Sequence, residues 1–254
     1  MAVVSYAAVA AGSAPWAALF AVMHLAFRFT APAKLDRETR AYWSSSIVSS
    51  VFGVIISLKC WSTMLAGGFW TSEDLYLSTP DSHECCYRYL GYLVADIFPL
   101  AYYGLVCRHK AWGGVELYMG HHVLSILAWA LMGARGQLHA VAVGLLLVEA
   151  TAPFTNTRWM LSTLGMTSGV GFMVNGVVMA LSFFVLRVLM MGGMFVRYVV
   201  LLRAPFFALP PSTWAVVLGC YGFGYPLQLF WFSKIFKGVL KVLGITKPSA
   251  KKTK

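Results

Sequence analysis

Charged residues are scarce in this sequence, and acidic residues are the scarcest. Only 11% of the 254 residues are charged and 59% are hydrophobic, whereas a typical soluble domain has about 25% charged residues. This composition, with a mean hydropathy of +0.71, excludes an ordinary cytosolic globular protein. The chain has 20 basic residues but only nine acidic ones, which gives a net charge of +11. Because the basic residues are concentrated in the tail or scattered at the ends of apolar segments, we expect no nucleic-acid partner.

The sequence also lacks the features of a metal centre and of a cleaved leader. Its cysteines do not have the spacing of metal ligands, so we predict free thiols and no bound metal, with a disulfide among the first three as the alternative. The first apolar stretch is not preceded by a basic segment, so we predict a retained span rather than a signal peptide. The cysteines are Cys60, Cys85, Cys86, Cys107 and Cys220.

Apolar segments long enough to cross a bilayer, which takes roughly 20 residues, run almost from end to end of the chain. We therefore predict an all-α fold, a polytopic transmembrane helix bundle with six or seven spans. The predicted spans cover residues 4–28, 41–65, 87–107, 116–132, 137–154, 164–190 and 214–232. The apolar stretch 192–211 contains two arginines and a proline pair, so we predict an interfacial or re-entrant piece there.

The distribution of basic residues predicts the orientation of the bundle. Basic residues follow every second span, at 34–40, 108–110, 158 and from 234 onward. Loops rich in Lys and Arg stay in the cytosol, so we predict a lumenal N-terminus, a lumenal acidic loop at 73–84 and a cytosolic C-terminus. Three arginines lie on the lumenal side, against this rule: Arg135, Arg197 and Arg203.

Three charged residues interrupt apolar segments: Asp96, Glu149 and Arg187. A charge at the centre of a membrane helix costs about 2.5–3.5 kcal/mol on insertion scales. We therefore predict that all three face one polar interior, with Arg187 paired to Glu149 or to Asp96. Such pairs either belong to a binding site or only lock the helices together. Lys59, in the second span, is predicted to extend to the lumenal face.

Two adjacent histidines, His121 and His122, open the fourth span. Successive residues on a helix diverge by about 100°, so both rings can border one cavity, but the pair does not have the i, i+4 spacing of a zinc site. Histidine is a common general acid or base. The pair is therefore either part of a site or an interfacial pair that hydrogen-bonds its neighbours, and we predict that both histidines point into the same interior as the three charged residues. For His139, at the start of the fifth span, we predict an interfacial position.

The segment 149–159 reads EATAPFTNTRW and combines a helix breaker with polar donors. Pro153 is expected to break or kink the helix and to free backbone carbonyls. Asn156 and Arg158 then provide hydrogen-bond donors at the cytosolic end of the span. These donors suit the phosphate of a lipid head group or of acyl-CoA, and the alternative is a simple anchored helix end.

In their order and spacing, these motifs resemble the TLC domain, the superfamily of the TRAM translocon proteins, the Lag1-type ceramide synthases and the CLN8-type proteins. The resemblance is to the small TLC-domain-containing proteins of the transmembrane protein 56 type in particular. It implies a TLC domain at 40–240, preceded by a span and cytosolic loop at 1–39 and followed by a basic cytosolic tail at 241–254. The matching residues are Trp43, Ser49, Gly91, Tyr92, Asp96, His121, His122, Glu149, Pro153, Phe154, Asn156, Arg158, Trp159 and Arg187.

Two departures limit what the resemblance implies. Phe52 stands where the family's W…S motif usually continues to a histidine, and no aspartate follows Asp96, whereas ceramide synthases have an Asp-rich stretch after the histidine pair. The sequence is therefore similar to TLC proteins outside the ceramide-synthase branch, and we do not expect ceramide synthesis.

Two functions remain open. The protein binds membrane lipid and adjusts membrane lipid composition without catalysis, or it is an acyl-CoA-dependent lipid acyltransferase in which His121 or His122 is the general base or acyl acceptor. Acyl-CoA would be a co-substrate, and no cofactor is expected. A cavity with both histidines in its wall and Arg158 at its mouth would favour the enzyme, and histidines packed between helices would favour the binder. In either case the predicted lipid- or head-group-binding residues are Asp96, Glu149, Asn156, Arg158 and Arg187.

The last four residues are KKTK, with Lys251 and Lys252 four and three positions from the C-terminus. This is the pattern of a dilysine retrieval signal, which a receptor reads as an address. We therefore expect residence in the endoplasmic reticulum, with the Golgi or the plasma membrane as alternatives. If the tail is only a basic segment, its contact with anionic lipid contributes about 1 kcal/mol per residue.

Overall fold

The computed structural model describes residues 5–242, and all regular structure in this part of the chain is helical. Seven helices are long and apolar enough to cross a membrane, which confirms the predicted polytopic bundle and fixes the number of candidate spans at seven. They are α1 (Tyr6–Thr30), α2 (Arg37–Ala66), α3 (Pro80–Val106), α4 (Val115–Arg135), α5 (His139–Thr163), α6 (Val170–Leu201) and α7 (Pro211–Leu240). The predicted retrieval signal lies outside the described residues.

The structure corrects the prediction for the stretch 192–211. Its first ten residues are not interfacial or re-entrant but form the last part of α6, which is 32 residues long. The helix continues by changing to π-helical hydrogen bonding over Phe183–Met190 and again over Val196–Leu201. Only the remainder, with the short helix Arg203–Phe207, connects α6 to α7.

Two of the three arginines that break the charge rule make hydrogen bonds to the chain. Arg135 donates to Ser212 Oγ at 2.8 Å and to Thr213 Oγ1 at 2.7 Å. Arg197 donates to the backbone carbonyls of Trp70 and Ser72, in the loop between α2 and α3. Their position therefore has a structural reason that is independent of membrane orientation.

The seven helices differ in how much of their surface they bury. In the apolar stretches of α3 and α5, 56% of the residues are buried, whereas the corresponding share in α6 is only 6%. Helices α3 and α5 therefore lie in the core of the bundle. Helix α6 lies at its edge with most of its surface outward, as expected of a lipid-facing helix.

Glycines allow the central helices to approach each other closely. A Cβ atom at Gly53 in α2 would lie 2.5 Å from the carbonyl oxygen of Glu149 in α5, and one at Gly91 in α3 would lie 2.5 Å from the Cβ of Trp16 in α1. Small residues at such crossings are the usual means of tight packing between membrane helices. The Gly53 contact holds α2 against the part of α5 that carries Glu149.

The proline in α5 changes the helix locally without ending it. The chain adopts 3₁₀ geometry over Leu147–Thr151 and returns to an α-helix at Ala152, with Pro153 in its first turn. Proline has no N–H to donate to the carbonyl four residues earlier, which here belongs to Glu149. The sequence signal at Pro153 therefore marks the segment where α5 changes its hydrogen-bonding pattern from α-helical to 3₁₀ and back.

Candidate functional site

A cavity of about 380 Å³ lies among α2 to α7 and extends to the loop between α3 and α4. We call the end of the bundle that carries this loop, with Arg108 and Lys110, the basic face. The cavity is lined by all five residues predicted to share one interior, which are Asp96, His121, His122, Glu149 and Arg187. Serines and tyrosines of α2 and α3 complete its inner wall.

Asp96 is the most heavily contacted acid in the cavity. Its Oδ1 accepts a hydrogen bond from the Ser45 hydroxyl at 2.6 Å, and its Oδ2 lies 3.0 Å from His122 Nε2. A second imidazole, that of His24 in α1, places its Nε2 3.4 Å from Oδ1. Asp96 and its two histidines have little accessible surface, so protein groups provide most of the contacts of the carboxylate.

His122 is held at both ring nitrogens. Its Nδ1–H donates to the backbone carbonyl of Tyr118 at 2.9 Å, and its Nε2 faces the Asp96 carboxylate. Both partners are acceptors, so an ionised Asp96 requires a proton on each ring nitrogen. Both ring nitrogens of His122 are thus engaged, and neither is free to take a proton from a substrate.

His121 is placed differently from its neighbour. Its ring lines the main cavity and also a smaller one of about 70 Å³. It makes no hydrogen bond to any described residue, and its centroid lies 5.9 Å from that of His122 with the rings nearly perpendicular. Of the two histidines, His121 is therefore the one whose nitrogens are available to a ligand.

Glu149 and Arg187 form a charged pair in the cavity, one of the two pairings that the sequence left open. The Arg187 guanidinium lies 3.6 Å from Glu149 Oε1. It also donates to Thr151 Oγ1 at 2.7 Å and to Gln228 Oε1 at 3.3 Å. Arg187 belongs to the π-helical segment of α6, a type of irregularity that is frequent at functional sites.

Asn156 and Arg158 do not act together as predicted. Asn156 lines the cavity and donates to Ser50 Oγ at 3.1 Å. Arg158 packs on the ring of Phe172 at the start of α6, 3.2 Å from the ring centroid, and donates to the Phe172 carbonyl. It is not part of the cavity lining. The basic side chain that lines the mouth is Lys234 of α7.

The smaller cavity adjoins the main one. The two share four residues, namely Tyr89, His121, Glu149 and Arg187. Beyond them the smaller cavity is lined mainly by apolar and aromatic side chains of α4, α5 and α7. A polar chamber thus adjoins an apolar recess, and His121 lines both.

Sequence reasoning missed several residues that complete the site. His24, Ser45, Thr151 and Gln228 each contact one of the predicted charged residues. His24 could have been found by the same signal as Asp96, because it too is a polar residue in the middle of an apolar segment. At the position of the missing histidine, Phe52 is buried and stacks on Tyr92, with ring centroids 4.1 Å apart.

The structure also tests three predictions made for residues that lie outside the cavity. His139 is not an exposed interfacial residue: its ring is fully buried, 2.7 Å from Ser82 Oγ and 3.1 Å from the Met132 carbonyl. Lys59 reaches the acidic end of α3, where it pairs with Asp81 at 2.5 Å. All five cysteines are free thiols in the structure.

Comparison with known proteins gives one consistent result. The family model described as "TLC domain" matches residues 42–237. The chain is 27% identical to TLC domain-containing protein 4-B of Danio rerio over 79% of this chain and 75% of that protein. It is 24% identical to TLC domain-containing protein 4 of Homo sapiens over 82% of this chain and 78% of that protein. No solved structure matches the chain.

Proposed function

The chain belongs to the TLC domain family, and from this premise we propose that it is a multi-pass membrane protein that binds lipid in the cavity and thereby adjusts membrane lipid composition. The observation that carries the proposal is the polar chamber among the spans, in which Asp96 is paired with His122 and Glu149 with Arg187. The chamber offers hydroxyls, an amide and an imidazole to a head group, and the adjoining recess offers apolar surface. The C-terminal KKTK supports residence in the endoplasmic reticulum.

The charge pairing favours binding over catalysis. A general base needs an accessible nitrogen within hydrogen-bond reach of the proton it removes. His122 has none while it contacts Asp96 and Tyr118, and Arg158 is not at the cavity mouth to hold the phosphates of acyl-CoA. Two of the elements on which the acyltransferase hypothesis relied are thus engaged elsewhere.

A second candidate function rests on His121 alone. Its ring is unbonded within the described residues and lines both the polar chamber and the apolar recess. An acyl thioester bound in the polar chamber would bring its carbonyl carbon towards this ring. His121 would then attack the thioester of acyl-CoA, release the CoA thiolate, and pass the acyl group to a lipid hydroxyl or amine that loses its proton.

Blocking the cavity tests the proposal. Thr155 lines the cavity, whereas Thr157, two residues later on the same helix, is exposed and does not. We expect Thr155→Phe to lower the amount of lipid that copurifies with the full chain several-fold, and Thr157→Phe to leave it unchanged. Mass spectrometry of lipid extracted from the detergent-purified variants measures this. Equal lipid content in both variants and the wild type would contradict binding in the cavity.

A single substitution separates binding from acyl transfer. His121→Gln keeps a hydrogen-bonding side chain of similar length but can neither accept an acyl group nor take up a proton. Cells lacking the protein are complemented with the wild type or with this variant, and their lipids are profiled. If the protein is a binder, the variant restores the wild-type profile; if it is an acyltransferase, the variant fails to restore it although it still copurifies with lipid.

A further inference from the structure

One charged side chain in the cavity lining has no partner of opposite charge among the described residues. The carboxylate of Asp96 faces His122, and the carboxylate of Glu149 faces Arg187. Lys234 also lines the cavity, and among the described residues it forms no ion pair. Neither carboxylate of the cavity therefore pairs with the Lys234 ammonium at the mouth.

No described acidic residue forms an ion pair with Lys234. No aspartate or glutamate follows Glu149 in the sequence, and Glu149 itself is paired with Arg187. Glu116 is exposed near the start of α4 and makes no ion pair within residues 5–240. Lys234 is exposed where the cavity ends, and neither Asp36 nor Glu38 at the start of α2 pairs with it, so its ammonium is accessible to an anionic ligand.

The position of Lys234 on α7 distinguishes it from the other lysines of that helix. Trp231 and Ile235 line the cavity with it, whereas Lys237, one turn further along, does not. The Lys234 ammonium lies 4.2 Å from the ring centroid of Phe230, and the Trp231 indole stacks on Tyr118 at 5.5 Å between centroids. Aromatic side chains thus flank the ammonium at the place where the cavity reaches the basic face.

We propose that Lys234 binds the anionic group of an amphiphile at the mouth of the cavity and so makes the site selective for anionic over zwitterionic lipids. This inference rests on the proposed lipid-binding function. A lysine ammonium is a compact charge that pairs with a carboxylate or with a phosphate, so a fatty acid and a phosphatidic acid share the chemistry that it recognises. Asn156, in the same lining, provides a neutral donor for a second oxygen.

The test compares three lipid probes on the purified full chain. Radiolabelled oleate, dioleoyl phosphatidic acid and dioleoyl phosphatidylcholine are bound to the detergent-solubilised wild type and to Lys234→Gln, Lys234→Arg and Lys237→Gln. We expect at least one anionic probe to bind more tightly than phosphatidylcholine. We expect Lys234→Gln to weaken anionic binding about tenfold or more, the loss typical of one hydrogen bond to a charged group. Lys234→Arg and Lys237→Gln should bind like the wild type.

The outcomes separate this inference from the proposed function. Tight binding of oleate alone identifies a carboxylate ligand, and tight binding of phosphatidic acid alone identifies a phosphate; each supports the inference if it depends on Lys234. If Lys234→Gln binds the anionic probes as well as the wild type does, or if phosphatidylcholine binds equally tightly, the inference is wrong. In that case a loss of binding in Thr155→Phe would still support lipid binding, whereas unchanged binding there would remove both.

Discussion

Asp96→Asn and His122→Gln together test the central contact of the site. The Asp96 carboxylate accepts from Ser45 at 2.6 Å and faces the His122 imidazole at 3.0 Å in a buried environment. Asn at 96 keeps the shape of the side chain but removes the carboxylate, which leaves His122 Nε2 without its charged partner. Gln at 122 removes the imidazole and leaves the carboxylate unpaired. The double variant contains neither charge.

The expected magnitudes follow from this geometry. Removing one partner of a buried ion pair costs about 3–5 kcal/mol, because the remaining charge is left without compensation. We expect each single variant to lose about 3 kcal/mol of unfolding free energy. The double variant should lose clearly less than the sum, with a coupling of about 0.5–3 kcal/mol between the two positions.

Unfolding of the purified variants in mixed micelles, followed by far-ultraviolet circular dichroism, measures these differences. Asp81→Asn is the matched control, since its side chain is 58% exposed and its pairing with Lys59 is worth about 0–1 kcal/mol. Single losses below about 1 kcal/mol, or losses that add within about 0.5 kcal/mol, would refute the reasoning and show that Asp96 and His122 are not a mutually dependent buried pair.

Two further predictions concern packing and address. Gly53→Ala should destabilise the protein by about 1–3 kcal/mol, because the new methyl group meets a backbone carbonyl of α5 that cannot rotate away. Gly219→Ala, in open space on α7, should not; equal unfolding midpoints for the two would contradict this. Replacing Lys251 and Lys252 by Ser should release the protein from the endoplasmic reticulum, as seen by microscopy. Replacing the same two lysines by Arg keeps the charge. If the Ser variant and the Arg variant both stay in the endoplasmic reticulum, the tail is not the retrieval signal.

Composition and periodicity were sufficient to predict the all-α membrane bundle. A bilayer requires about 20 apolar residues per helix, so the spans can be counted from hydropathy without knowing how they pack. The same argument predicted the shared interior. Asp96, Glu149 and Arg187 are too costly to expose to lipid, and the structure places all three in one cavity.

The sequence failed where a helix was interrupted but not ended. Two arginines and a proline pair suggested that the chain leaves the helix after residue 190, yet α6 continues to Leu201. Hydropathy averages over a window and does not show that Arg197 can donate to the loop carbonyls of Trp70 and Ser72. A charge that is satisfied by distant backbone no longer stops a helix.

Only the tertiary structure decided which polar residues act together. Asn156 and Arg158 are two positions apart, but one faces the cavity and the other packs on Phe172, because residues at that separation diverge on a helix. His24 is distant from Asp96 in sequence, yet its ring lies 3.4 Å from the carboxylate. Hydropathy along the chain determines which residues must avoid lipid, but the packing of the helices determines which partners they meet.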